Sequence, residues 1–85
     1  MKTTVGIFLF EGVEELDFVG PYEVFTMTNA VLKHSGEANA FQVMLISEDG
    51  QDVQCAKGMR VGVDTTIADV KQLDILLIPG GRGTR

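Results

Sequence analysis

Three short runs of almost unbroken apolar residues constrain this chain most: residues 4–10 (TVGIFLF), 41–47 (FQVMLIS) and 74–78 (DILLI). An amphipathic helix keeps a polar face and a half-covered strand alternates, so runs this short and dense read as strands buried on both faces. Each ends in a turn signal: Glu11-Gly12, Glu48-Asp49-Gly50 and Pro79-Gly80-Gly81. Between the first two runs the period changes. Val24, Phe25, Thr28, Val31 and Leu32 recur at helical spacing, and Ser35-Gly36 supply a stop with Gly36 as the left-handed cap. Pro21 speaks against one uninterrupted helix, which predicts a short turn over residues 14–18 and a main helix over 20–34. Residues 51–55 and 60–65, joined by Ala56-Lys57-Gly58, predict a peripheral hairpin, and residues 66–73 a brief helical turn.

Strand, helix, strand, excursion, strand predicts an α/β fold: a mostly parallel sheet with helices on both faces. Right-handed crossovers place the first strand beside the other two, as in the flavodoxin-like order, so the chain reverses direction next to strand one. Loops at the carboxyl ends of strands flanking such a reversal form a crevice. One of those loops is residues 11–17 and the other 79–84. The topology thereby brings a carboxylate and a glycine-rich turn, more than sixty positions apart, into one site.

Composition excludes several function classes. At 85 residues the chain holds one domain at most, and a 45% hydrophobic content is that of a folding chain rather than an acidic tail. So short a domain buries only about 60–65% of its unfolded surface, so either its core is marginal or some apolar surface meets further protein. Seven Lys+Arg against twelve Asp+Glu give a net charge of −5, with no basic cluster to grip phosphates, so nucleic acid is not an expected partner. Cys55 is the only cysteine and His34 the only histidine, which excludes an internal disulfide and a Cys/His metal site and makes a reducing cytoplasm the expected compartment. No signal peptide or membrane span is expected.

Glu11, Glu14, Glu15 and Asp17 stand where a helix begins, and favourable interaction with the helix dipole accounts for the three glutamates. Asp17 lies between Leu16 and Phe18-Val19, whose packing is expected to draw its carboxylate into a low-dielectric crevice suited to proton transfer. The run Pro79-Gly80-Gly81-Arg82-Gly83-Thr84 admits a structural turn, a phosphate loop or an oxyanion donor. It is neither a Walker sequence nor Gly-x-Gly-x-x-Gly. Cys55, in the excursion and away from the crevice, reads as a buried thiol rather than a nucleophile. His34 suits the helix C-terminus.

The stretch Leu16-Asp17-Phe18-Val19-Gly20-Pro21-Tyr22-Glu23-Val24-Phe25, combined with Pro79-Gly80-Gly81-Arg82-Gly83-Thr84, resembles the ThiJ/PfpI family of the glutamine-amidotransferase-like superfamily. The resemblance covers essentially the whole chain. An Asp followed by Gly-Pro is similar to the isonitrile hydratase branch and to sensor domains of AraC-type regulators, whereas protease- and deglycase-like branches usually place Glu there. The resemblance implies a flavodoxin-like three-layer sandwich, usually dimeric, in which a cysteine on a strained elbow attacks a small-molecule substrate. Asp17 would handle protons, Gly81 would offer a backbone N–H beside the nucleophile, and Gly80, Gly83 and Thr84 would line the substrate. No metal or organic cofactor is implied.

The family's elbow cysteine lies beyond the Pro-Gly-Gly turn, and this sequence stops at Arg85. The chain is therefore expected to be the amino-terminal portion of a single domain, inactive alone, with the remaining half of that domain as a partner. The rival expectation is a ligand-sensing domain of an AraC-type regulator. A third, a phosphate- or nucleotide-binding flavodoxin-like protein, would hold an anion on the amides of residues 80–83.

Overall fold

The computed structural model describes residues 3–36 and 40–81. In chain order the elements are β1 (Thr3–Phe8), α1 (Glu15–His34), β2 (Phe41–Ser47), β3 (Val53–Gln54), β4 (Arg60–Val61), β5 (Thr65–Thr66) and β6 (Ile75–Leu77). A four-stranded sheet runs β5-β2-β1-β6 with every pairing parallel, and β3 and β4 form a separate antiparallel pair. The first strand thus lies between the second and third apolar runs, as the crossover argument requires. Its inner position explains its composition: Val5, Ile7 and the following Leu9 are all fully buried.

Register fixes the two faces of the sheet. Val5 lies opposite Val43 and Ile75, and Ile7 opposite Leu45 and Leu77. This face receives α1, whose Phe25 ring meets Phe41 edge-on with centroids 4.8 Å apart. Asn29 of the helix adds a polar tie, its Nδ2 donating to the Phe41 carbonyl at 2.7 Å while its Oδ1 accepts from the Ala40 and Phe41 amides. On the opposite face the backbone at Gly6 is crowded. A Cβ there would sit 2.7 Å from Ile46 Cδ1 and 2.8 Å from Leu73 Cδ1, so the segment leading into β6 crosses β1 where a side chain is missing. One helix, on one face, is present among the described residues.

Two aspartates set the edge strands. Asp74, just before β6, receives the Thr4 amide on Oδ2 at 2.7 Å and donates its own N–H to the Thr4 carbonyl at 2.9 Å. Asp64, just before β5, does the same with Leu45, at 2.8 Å in both directions. Short strands with few ladder bonds gain a charge-assisted contact at their start, which fixes where pairing begins.

Two expectations are corrected. Helix α1 is continuous through Pro21, with no break between a turn and a main helix. Gly20 is the reason: a helical residue before proline suffers because its Cβ meets the proline ring, and glycine has none. The missing amide of Pro21 leaves only the Asp17 carbonyl without its usual i+4 donor. Residues 66–73 form no helix. Thr66 ends β5, and its Oγ1 and carbonyl both accept the Asp69 amide at 3.1 Å, closing a single turn. The helix end is as expected, with the Gly36 amide on the Lys33 carbonyl at 3.0 Å and Gly36 at φ +82°.

Candidate functional site

The two loops that the sequence predicts to converge do meet. Beyond β1 the chain turns through Gly12, at φ +85°, and Val13 forms an antiparallel bridge with Gly81. The Glu14 amide donates to the Gly80 carbonyl at 2.9 Å. Helix α1 starts immediately afterwards, placing Asp17 in its first turn with its amide on the Glu14 carbonyl at 3.1 Å. The Asp17 carboxylate then lies over the glycine turn: a Cβ added to Gly80 would be 3.1 Å from Asp17 Oδ2.

The two glycines answer this approach differently. Gly81 is buried at φ +152°, and a Cβ there would come within 2.5 Å of the Gly12 carbonyl oxygen and 2.7 Å of Val13 Cα. No L side chain fits without moving backbone. Gly80 faces only the tip of Asp17, so its lack of a side chain makes room for a carboxylate rather than a main chain. Gly83 and Thr84, the other expected substrate contacts, lie outside the described residues.

Asp17 is exposed, which overturns the desolvation expected from its apolar neighbours. Helical phase explains the difference. Phe18 turns into the core at 3% exposure, whereas Leu16 and Val19 stay at the surface and do not enclose the carboxylate.

The excursion is not peripheral. The β3–β4 hairpin docks on the loop before α1: the Gly12 amide donates to the Gln54 carbonyl at 2.9 Å, the Ala56 amide to the Val13 carbonyl at 2.8 Å, and the Gln54 amide to Glu11 Oε2 at 3.1 Å. At its turn the Lys57 amide donates to both Glu15 oxygens, at 2.9 and 3.2 Å, and the Lys57 ammonium grips the Glu14 carboxylate at 2.6 Å. That hydrogen bond to Glu14 is the chief reason the Lys57 ammonium holds its proton above the ordinary lysine range. Sequence reasoning assigned these glutamates to the helix dipole, because nothing local marks a carboxylate that will bond a distant backbone amide.

Cys55 sits in the same junction, adjoining the candidate site rather than distant from it. It is buried in one apolar cluster with Leu9, Val13 and Phe18. Burial first, and then the negative charges of Glu15, Glu11 and Glu14, push its thiol above the ordinary range. A protonated, enclosed sulfur is a packing group and a poor nucleophile.

On the other flank of β1 a cavity of about 370 Å³ opens at the carboxyl ends of β1 and β2, lined among others by Phe8, Phe10, Glu11, Ser47, Glu48 and Asp52. The turn residues after β2 were its only signal in the sequence. Among the described residues no group of three or more His, Cys, Asp or Glu side chains could hold a metal ion, and no helix is long and apolar enough to cross a membrane.

Residues 3–85 match the model of the DJ-1/PfpI family. An isonitrile hydratase from Pseudomonas putida is 32% identical over 83 residues, an alignment covering 98% of this chain and 32% of that protein. The chain thus spans about a third of the length of that curated relative. Among solved structures, Drosophila melanogaster DJ-1beta superposes with TM-score 0.69 at 26% identity, over 98% of this chain and 40% of that one. An AraC family transcriptional regulator from Pseudomonas putida superposes with TM-score 0.64 at 26% identity, over 93% of this chain and 47% of that one.

Proposed function

The chain belongs to the DJ-1/PfpI family, and from that premise we propose that residues 1–85 are the amino-terminal portion of one domain of a cysteine-dependent enzyme most like an isonitrile hydratase. The observation that carries this reading is the placing of Asp17 Oδ2 against Gly80, with Glu14 bonded to the Gly80 carbonyl. A carboxylate at the edge of a glycine turn is within hydrogen-bond reach of a small substrate held on that turn, the geometry that proton transfer needs.

In this mechanism a thiolate supplied by the chain beyond residue 85 adds to the terminal carbon of the isonitrile, forming the S–C bond. Asp17 delivers a proton to that carbon, giving a thioimidate. Water then adds across the C=N bond, its hydroxyl to that carbon and its proton to nitrogen; as the C–S bond breaks the hydroxyl proton returns to Asp17, releasing an N-substituted formamide and restoring the thiolate and the protonated carboxyl. The net reaction is isonitrile plus water to formamide, with no oxidant, metal or organic cofactor consumed. Gly81 sets the backbone beside the nucleophile, and Gly80, Gly83 and Thr84 form the substrate wall. Cys55 takes no part, being buried and held as a thiol.

The proposal includes a homodimer in the cytoplasm. The dimer is supported by an apolar stripe on the outer side of α1, where Leu16, Val24, Met27 and Val31 are each more than half exposed. A second reading, a ligand-sensing domain of an AraC-type regulator, is favoured by the superposition on such a regulator over 93% of this chain.

The test is Asp17→Asn in the full-length protein, followed by formamide production from an alkyl isonitrile. Loss of turnover by about 10²- to 10⁴-fold, with folding intact, is the expected result. Turnover retained in the variant removes Asp17 from the mechanism. Binding of small ligands without turnover in the wild type favours the regulator.

A further inference from the structure

We propose that Glu15 is a positioning residue, and that the β3–β4 hairpin it gathers in is a strap holding the loop before α1 against Gly80 and Gly81. This rests on the reading of Asp17 as the proton-handling group. The segment 11–14 is the middle ply of three. On one side it bonds the hairpin through Gly12, Val13 and the Glu11 carboxylate; on the other it bonds the glycine turn through the Glu14 amide and the Val13–Gly81 bridge. Anything that loosens the first side frees the second.

The local hold on this end of helix α1 is slight. Glu14, at the N-cap, makes no side-chain capping bond, and the first turn that carries Asp17 is closed by the Asp17 amide on the Glu14 carbonyl at 3.1 Å. Glu15 supplies the anchor through tertiary contacts. Its half-buried carboxylate accepts the Lys57 amide at 2.9 and 3.2 Å, with the Met59 amide further out at 3.4 Å. Lys57 closes the clamp from the hairpin side by binding the Glu14 carboxylate. The hairpin turn, the start of the helix and the glycine turn are thereby tied in series, and Asp17, two residues after Glu15, inherits its position from the chain of bonds.

Amide exchange in the full-length protein separates a strap from a mere hairpin brace. In Glu15→Ala the amides of Lys57 and Met59 should exchange faster under either view. A strap also speeds exchange at the Glu14 amide, which bonds Gly80, by about tenfold, the scale of one charge-assisted hydrogen bond. The Leu9 amide, on the Ile46 carbonyl, serves as the unchanged reference. Glu15→Gln keeps one acceptor oxygen and should fall between the wild type and Glu15→Ala; should the alanine variant not fold, the glutamine variant alone is read. A Glu14 amide exchanging at the wild-type rate overturns the proposal. In turnover of an alkyl isonitrile, kcat should fall with KM little changed, and the glutamine variant should recover part of it. Asp17→Asn distinguishes the two claims: if it stays active, the proton-transfer role fails, while the exchange result still decides the strap.

Discussion

Gly80 and Gly81 are adjacent, yet substitution should separate function from stability between them. Gly81→Ala drives a Cβ into the Gly12 carbonyl at a φ that L residues avoid. It should cost on the order of 1–3 kcal/mol or more, read as a lower denaturant midpoint. Gly80→Ala meets only the end of the Asp17 side chain, which can swing aside. Its stability should change by less than about 1 kcal/mol, while turnover falls because the carboxylate is displaced. At Cys55 the raised thiol makes two expectations. Iodoacetamide should label it slowly in the folded protein at neutral pH and rapidly in denaturant. Because the folded-state value lies above the unfolded one, the stability it contributes is complete below the ordinary thiol range and is lost as pH rises through the folded value. In the sequence a turn needing positive φ was one of three readings of residues 79–84, and Cys55 was legible as a buried thiol. Sequence reasoning misjudged the burial of Asp17, because flanking apolar residues say nothing about helical phase at a helix's first turn, and of Leu16, Phe18 and Val19 only Phe18 turns inward.

At the scale of elements, Pro21 interrupts the bonding of α1 without ending the helix. Pro21→Ala restores a donor for the Asp17 carbonyl and should raise stability by about 1–3 kcal/mol, checked by thermal unfolding. Asp74→Ala removes the carboxylate that receives the Thr4 amide and should cost about 1–2 kcal/mol, with protection lost first along β6. Strand β2 was legible to its ends, a dense apolar run that Ser47-Glu48-Asp49-Gly50 closes. The edge strands were not. Two-residue β5 depends on Asp64 and on pairing with β2, neither of which leaves a local periodicity. The hairpin was visible as a hairpin, but its docking was hidden because carboxylate-to-amide contacts join residues more than forty positions apart.

For the molecule as a whole, the apolar stripe on α1, the exposed Leu76 of edge strand β6 and Ile78 just after it are surfaces that isolated domains tend to cover. In the proposed homodimer α1 is the shared face, so Met27→Glu with Val31→Glu in the full-length protein should give a monomer in sedimentation. The sheet's strand order has a further effect during synthesis. Among the described strands β1 leaves the ribosome first, yet its neighbour β6 is made roughly seventy positions later, as the Val5–Ile75 pairing requires. Until then β1 has one flank of unpaired N–H and C=O groups, and the nascent chain must delay closure of that flank until β6 emerges.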